Sequence, residues 1–217
     1  MTTLDRETLR EELGQPGEAA SNKSIRALDE HCEQFLALSP FVVVATADAR
    51  GRTDASPRGG PPGFVRALSS TRVALGELPG NRLFDGAQNL AENPYAALLV
   101  MVPGVIETLR IEGSAHLSRD ETIRAAVALD GRLPWGALVV DVEAAFTHCG
   151  KAFKRSRLWE PESWPTLDRR PRMGAVIADH MRQPGPVDRG PEPGPDRTAE
   201  EVQAGLDDSY AHRLWEA

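Results

Sequence analysis

Phe41-Val42-Val43-Val44-Ala45-Thr46-Ala47, then Asp48-Ala49-Arg50-Gly51, then Thr53–Ser56 is the stretch on which the fold class turns. Seven residues dense in β-branched side chains and almost wholly apolar predict a buried strand. An Asp-to-Gly turn and a second short strand complete a hairpin. Working outward, Phe64–Leu68 and Arg72–Glu77 read as two further short strands around Ser69-Ser70-Thr71. Ala96–Val102 reads as another buried strand, Val105–Leu117 as a long one after Pro103-Gly104, and Ala137–Val142 as a re-entering one. Strands this short and this often hairpin-linked do not fit alternating strand–helix units; they predict a mainly β, α+β chain built on an antiparallel barrel with peripheral helices.

The helices are expected at the margins. Ile25, Leu28, Cys32, Phe35 and Leu36 share helical spacing behind Ser24 as N-cap. Asn81 is the expected N-cap of a helix carrying Leu83, Phe84, Ala87 and Leu90 on one face and ending at Asn93-Pro94. Residues 119–130, 143–155, 171–183 and 198–215 are also read as helical. Ser56–Gly63 carries Pro57, Gly59, Gly60, Pro61, Pro62 and Gly63 around Arg58, and is expected as a constrained loop able to approach a ligand closely. Five prolines between positions 184 and 195 predict an extended arm. The expected division is an N-terminal arm over 1–23, a barrel domain over 24–165, and C-terminal helices with the Pro-rich arm over 166–217.

Composition narrows the function classes. The chain has 217 residues, 41% of them hydrophobic, and a net charge of −7. That hydrophobic content supports a packed core, and the acidity disfavours nucleic acid as a partner. No apolar run reaches the length of a membrane span. Two cysteines and an acidic N-terminus without an apolar leader fit a cytoplasmic protein. The charge is unevenly spread. Residues 48–82 carry six arginines against three carboxylates, and residues 147–172 carry seven cations against three. Two basic islands on an acidic background predict a local anion site if the fold brings them together.

Familiar catalytic motifs are missing: there is no phosphate-cradling G-x-x-x-x-G-K-[ST], no G-x-G-x-x-G, no H-E-x-x-H, no C-x-x-C and no G-x-S-x-G. His31-Cys32 and His148-Cys149 do not make a metal centre, since neighbours on a helix diverge by about 100° and each pair offers one ligand at best. No metal site is expected.

The informative set is Ser56-Pro57-Arg58-Gly59-Gly60, Asn81-Arg82, Asn93-Pro94, Glu107-Thr108-Leu109-Arg110 and His148-Cys149-x-Lys151-Ala152-x-x-Arg155-Ser156-x-x-Trp159. With these the sequence resembles the pyridoxamine 5′-phosphate oxidase-related family of FMN-binding split barrels, in its branch of FMN-dependent enzymes, over roughly residues 24–165. The resemblance implies an antiparallel split β-barrel, a homodimer with each flavin between subunits, FMN as cofactor and a small-molecule substrate. An FMN phosphate calls for cationic and hydroxyl donors. Ser56, Arg58, Gly59, Asn81, Arg82, Lys151 and Arg155 are the implied cofactor-binding set. Thr108 matches a position where related proteins turn a polar side chain to the flavin. Arg110 either supports the site or pairs with a carboxylate such as Glu112; Trp159 either covers the flavin or fills an interface. His148 is the one candidate for proton transfer, with a capping or interface role as the alternative.

The chain reads Glu107-Thr108-Leu109-Arg110-Ile111 where true oxidases of this family carry R-Q-V-R-V, so vitamin B6 oxidation is not the expected reaction. Three readings follow: a flavin-dependent oxidoreductase; a non-catalytic module holding flavin, haem or a deazaflavin; and an accessory protein whose segment 184–217 embraces a partner.

Overall fold

The computed structural model describes residues 4–78, 80–185 and 192–215. Seven strands form one antiparallel sheet: β1 (Phe41–Ala47), β2 (Thr53–Gly59), β3 (Arg66–Ser69), β4 (Arg72–Glu77), β5 (Tyr95–Met101), β6 (Thr108–Ser118) and β7 (Gly136–His148). Their order is β2-β1-β5-β6-β7-β4-β3, so β2 and β3 are the unpaired edges of an open, split barrel. The mainly β, α+β expectation holds. The helices around the sheet are α1 (Arg6–Leu13), α2 (Glu18–Asn22), α3 (Glu30–Leu38), α4 (Asp85–Glu92), α5 (Glu121–Ala126) and α6 (Lys151–Ser156). Two compact units are formed, Met1–Trp159 and Glu160–Ala217. The second contains α7 (Met173–Met181) and α8 (Ala199–His212). There the Gly174 amide donates to Gln203 Oε1, and Thr198 and Glu201 form a reciprocal capping box. Part of the Pro-rich arm, residues 186–191, lies outside the described residues. No helix among the described residues is long and apolar enough to cross a membrane.

β1 and β5, read as almost wholly apolar, alternate in burial and so set the two faces of the sheet. Val42, Val44, Leu98 and Val100 are buried inward with Val73, Leu75, Leu109, Ile111 and Val140, and α3 covers this core with Leu36. Val43, Ala45, Ala97 and Leu99 are only half buried and face the other way.

Several boundaries differ from expectation for identifiable reasons. The helix expected from Ser24 starts instead after Asp29, whose carboxylate accepts from the Cys32 amide at 2.9 Å. Ile25 is used elsewhere: its backbone exchanges two hydrogen bonds with Ala145. Asn81 does not cap α4. Its Oδ1 accepts from the Leu83 amide in a local Asx turn, and the helix begins only at Asp85. Residues 56–59 are strand rather than loop; Pro57 fits there because β2 is an edge, where a missing N–H costs no ladder bond. Residues 143–148 of the helix expected over 143–155 are strand. β7 runs through His148 because β6 offers it an eleven-pair ladder, and only Lys151–Ser156 is helical. That ladder carries a bulge between Glu112 and Gly113. A Cβ on Gly113 would lie 1.9 Å from the Asp141 carbonyl oxygen, so the bulge demands glycine.

Candidate functional site

The half-buried face of the sheet and the chain after β7 together enclose a groove of about 380 Å3. Its floor is Val43 and Ala45 of β1 with Ala97 and Leu99 of β5; Thr108 and Arg110 of β6 border it, and His148, Cys149, Ala152 and Phe153 form the opposite wall. The register explains the convergence. Val43 pairs with Leu99, Leu99 with Arg110, and Arg110 with Phe146, a single row across four strands. Thr108 pairs with His148 one step further along. Thr108 is 5% exposed and stands at the groove as a hydroxyl in a largely apolar lining.

The polar groups differ in how free they are. Arg110 is committed to Glu112, with Nη2 2.5 Å from Oε1, and its guanidinium sits 5.1 Å over the Phe146 ring. The ion pair read for it is formed, and the same residue borders the groove. Trp159 stacks on Phe153 at 5.7 Å and donates its Nε1–H to the Val105 carbonyl at 2.9 Å. It therefore ties α6 to the turn between β5 and β6. Gly150 lets α6 start close to that turn, since a Cβ there would meet the Ile106 side chain at 2.6 Å. Lys151, Lys154 and Arg155 of α6 are exposed and, among the described residues, have no carboxylate partner. Lys151 and Arg155 are one helical turn apart and make a cationic edge beside the groove wall. His148 and Cys149 are exposed on the rim, the latter as a free thiol.

A second cluster forms around β2. Ser56 and Arg58 pair with Val44 and Val42, so their side chains face the barrel interior, opposite to the face of the groove. Both are engaged. Ser56 Oγ donates to Asp54 Oδ2 at 2.5 Å. Arg58 donates through Nη2 to Glu77 Oε1 at 2.7 Å and through Nε to Glu77 Oε2 at 3.2 Å, while Nη1 donates to its own Pro57 carbonyl. This pair joins the edge strand β2 to β4, with four strands between them in the sheet order, so it spans the split. Gly59 ends β2 opposite Phe41, and Asn81 and Arg82 lie exposed in the loop that follows β4.

The expected residues thus fall into two groups within one chain. Thr108, His148, Lys151 and Arg155 belong to the groove side, whereas Ser56 and Arg58 belong to the interior face at the split. Sequence reasoning missed Glu77 and Asp54, the carboxylates that hold Arg58 and Ser56; the Arg58–Glu77 pairing crosses 19 residues and leaves no local signal, whereas Asp54 stands two residues from Ser56 on the same strand. It also missed the floor of the groove. The signal there was present, since β1 and β5 are apolar on both faces although only one packs against the core.

The residues present fit a flavin. A largely apolar groove of this size can accept a planar ring system, Thr108 places a hydroxyl at its border, and α6 carries cations without a carboxylate partner among the described residues, which could meet a phosphate. Comparison with known proteins adds the lineage. No curated protein sequence matches the chain. Among solved structures, HupZ of Group A Streptococcus is similar at 16% identity and a TM-score of 0.45, over 55% of this chain and 93% of that one. A Clostridium acetobutylicum protein related to general stress protein 26 shows 15% identity and a TM-score of 0.43, over 56% and 90%. A pyridoxamine 5′-phosphate oxidase-related, FMN-binding protein of Nostoc punctiforme shows 14% identity and 0.36, over 53% and 76%. At these scores the structural likenesses carry no argument, and the family model does. The pyridoxamine 5′-phosphate oxidase model matches residues 28–149, more than half of the chain, and by that match the chain belongs to the pyridoxamine 5′-phosphate oxidase family, which includes FMN-binding proteins.

Proposed function

We propose that the protein is an FMN-dependent oxidoreductase of the cytoplasm, acting on a small molecule as a homodimer with flavin sites shared between subunits. One observation carries this reading: an apolar groove of about 380 Å3 bordered by the buried Thr108 hydroxyl and flanked by cations of α6 that have no carboxylate partner among the described residues. When bound, FMN supplies the electron chemistry. The chain's own residues would bind and orient it: Val43, Ala45, Ala97 and Leu99 would exclude water from the bound ring system, and the Thr108 hydroxyl would hydrogen-bond it. Lys151 and Arg155 neutralise the phosphate. His148, on the rim, is placed to exchange a proton with a substrate entering the groove. The two-group geometry supports the dimer in this reading. Ser56 and Arg58 face away from the groove of their own chain, so they serve the same flavin as Lys151 only if a second chain brings them.

The test is titration of the purified protein with FMN, followed anaerobically by NADH or NADPH and then by air. Saturable flavin binding, bleaching and recolouring are expected; binding without bleaching by any donor would leave a flavin module rather than an enzyme. Preferential binding of haem or a deazaflavin would overturn the cofactor. Mixing R58A with K151A subunits tests the shared site. A mixed dimer then has one intact and one doubly defective site, so about a quarter of all sites should recover FMN binding in a statistical mixture. No recovery would overturn the intersubunit arrangement.

A further inference from the structure

We infer that Cys149 is a modification site for anionic low-molecular-weight disulfides, and that the adduct closes the groove of its own chain. The chain holds two thiols, and the fold treats them oppositely. Cys32 is 6% exposed on the core face of α3, and burial pushes its pKa up, away from the reactive thiolate. Cys149 is exposed, and it lines the groove together with His148, Ala152 and Phe153. The groove is also built for a ligand. Thr108 is 5% exposed, and its hydroxyl has no hydrogen-bond partner among the described residues. No enclosed side-chain oxygen or nitrogen among them is left without a partner, so this hydroxyl opens onto the groove it lines. Strand register brings the two together: Thr108 pairs with His148, the residue before Cys149. The sign of the ligand follows from α6. Its cations Lys151, Lys154 and Arg155 begin two residues after Cys149 and have no carboxylate partner among the described residues. An anionic disulfide is therefore concentrated where the thiol stands. The step is an exchange. The Cys149 thiolate attacks one sulfur of R–S–S–R, the S–S bond breaks, a Cys149–S–S–R bond forms, and R–S⁻ leaves. The disulfide is the oxidant: its leaving sulfur takes the electron pair, and the proton given up by Cys149 passes to that thiolate or to solvent. A tripeptide-sized adduct then occupies a groove of about 380 Å3. Its exclusion of FMN rests on the reading above that the flavin lies in this groove; the exchange itself does not.

The experiment treats the native protein with oxidised glutathione, with the dianionic dithiobis(nitrobenzoate) and with the dicationic cystamine. Intact mass counts the adducts, and each rate is divided by that of the same disulfide with free cysteine. One adduct per chain is expected, on Cys149, absent from C149S and reversed by dithiothreitol, with Cys32 reacting only after unfolding. The normalised rate should favour the dianion over the dication about tenfold at low salt. That preference should shrink in K151A/K154A and as salt rises. FMN titration follows, before and after glutathione treatment. The wild type should lose about tenfold in FMN affinity and regain it with dithiothreitol, whereas the treatment leaves the affinity of C149S where it was. Native protein that takes no adduct at Cys149, or that reacts with both charges alike, overturns the modification site. An adduct that leaves FMN affinity unchanged overturns the closure of the groove. If untreated protein binds no FMN while the charge-selective adduct still forms, the flavin reading fails and the modification site stands.

Discussion

Replacing Arg58 by Met removes the charge and keeps the aliphatic stem, and so isolates what the clasp contributes to stability. In the wild type the Glu77 side chain is 7% exposed and the Arg58 side chain 26%. Breaking a fully buried pair by deleting one partner costs about 3–5 kcal/mol, because the remaining charge stays buried. Arg58 is a quarter exposed, so water enters part of its vacated space, and about 2–4 kcal/mol is the expected loss. β2 has no sheet partner besides β1, which makes this pair its anchor across the split. With a urea m-value of about 2 kcal/mol/M, the midpoint should fall by roughly 1–2 M. Hydrogen exchange should show the loss first in the amides pairing β2 with β1. R58M/E77L, which removes both charges, should recover most of the loss. A single variant within about 0.5 kcal/mol of wild type, or a double variant no more stable than the single, would refute the clasp.

Four further outcomes are expected. The backbone hydrogen bond donated by the Arg52 amide leads the causes that hold the Asp48 carboxyl below its ordinary value of 3.8. The fold therefore favours the carboxylate, and its contribution is present above the unfolded pKa and lost as pH falls through the lower folded one. D48N should be less stable at neutral pH and show a shallower loss in urea titrations below about pH 4. G113A should fail to accumulate as folded protein, since its new methyl would overlap the Asp141 carbonyl; a soluble variant with a wild-type melting curve would contradict the bulge. K151A and R155A should each weaken FMN several-fold at low salt, with the difference shrinking as salt rises and the melting temperature unchanged. T198A should lower the stability of α8 by about 1 kcal/mol, read by exchange at the amides of its first turn, because it removes the acceptor of the Glu201 amide.

Much of the scaffold was legible in the chain because its determinants are local. β1 announces itself by β-branched density and near-continuous apolarity, β5 by its apolar run, and Thr198 with Glu201 announces α8. The errors sit where a distant segment outbids a local preference. Glu143-Ala144-Ala145-Phe146 would suit a helix, yet β6 lies alongside and takes those residues as strand. Ser24 is an acceptable cap, but Ile25 bonds to Ala145 and the helix waits for Asp29.

By itself, then, the sequence determined the antiparallel β-rich class, the family and the chemical types available: two basic islands, the hydroxyl of Thr108 and the histidine at 148. These depend on residue identity and short-range spacing, which a linear chain states openly. Only the tertiary structure decided how those groups are used. It turned Ser56 and Arg58 to the face opposite the groove, closed the split with Glu77, left Lys151 and Arg155 without a carboxylate partner among the described residues, and bound Arg110 to Glu112. Which arginine is free for a ligand depends on the carboxylate that arrives beside it. That is settled by strand order and register across the whole sheet, which no local pattern encodes.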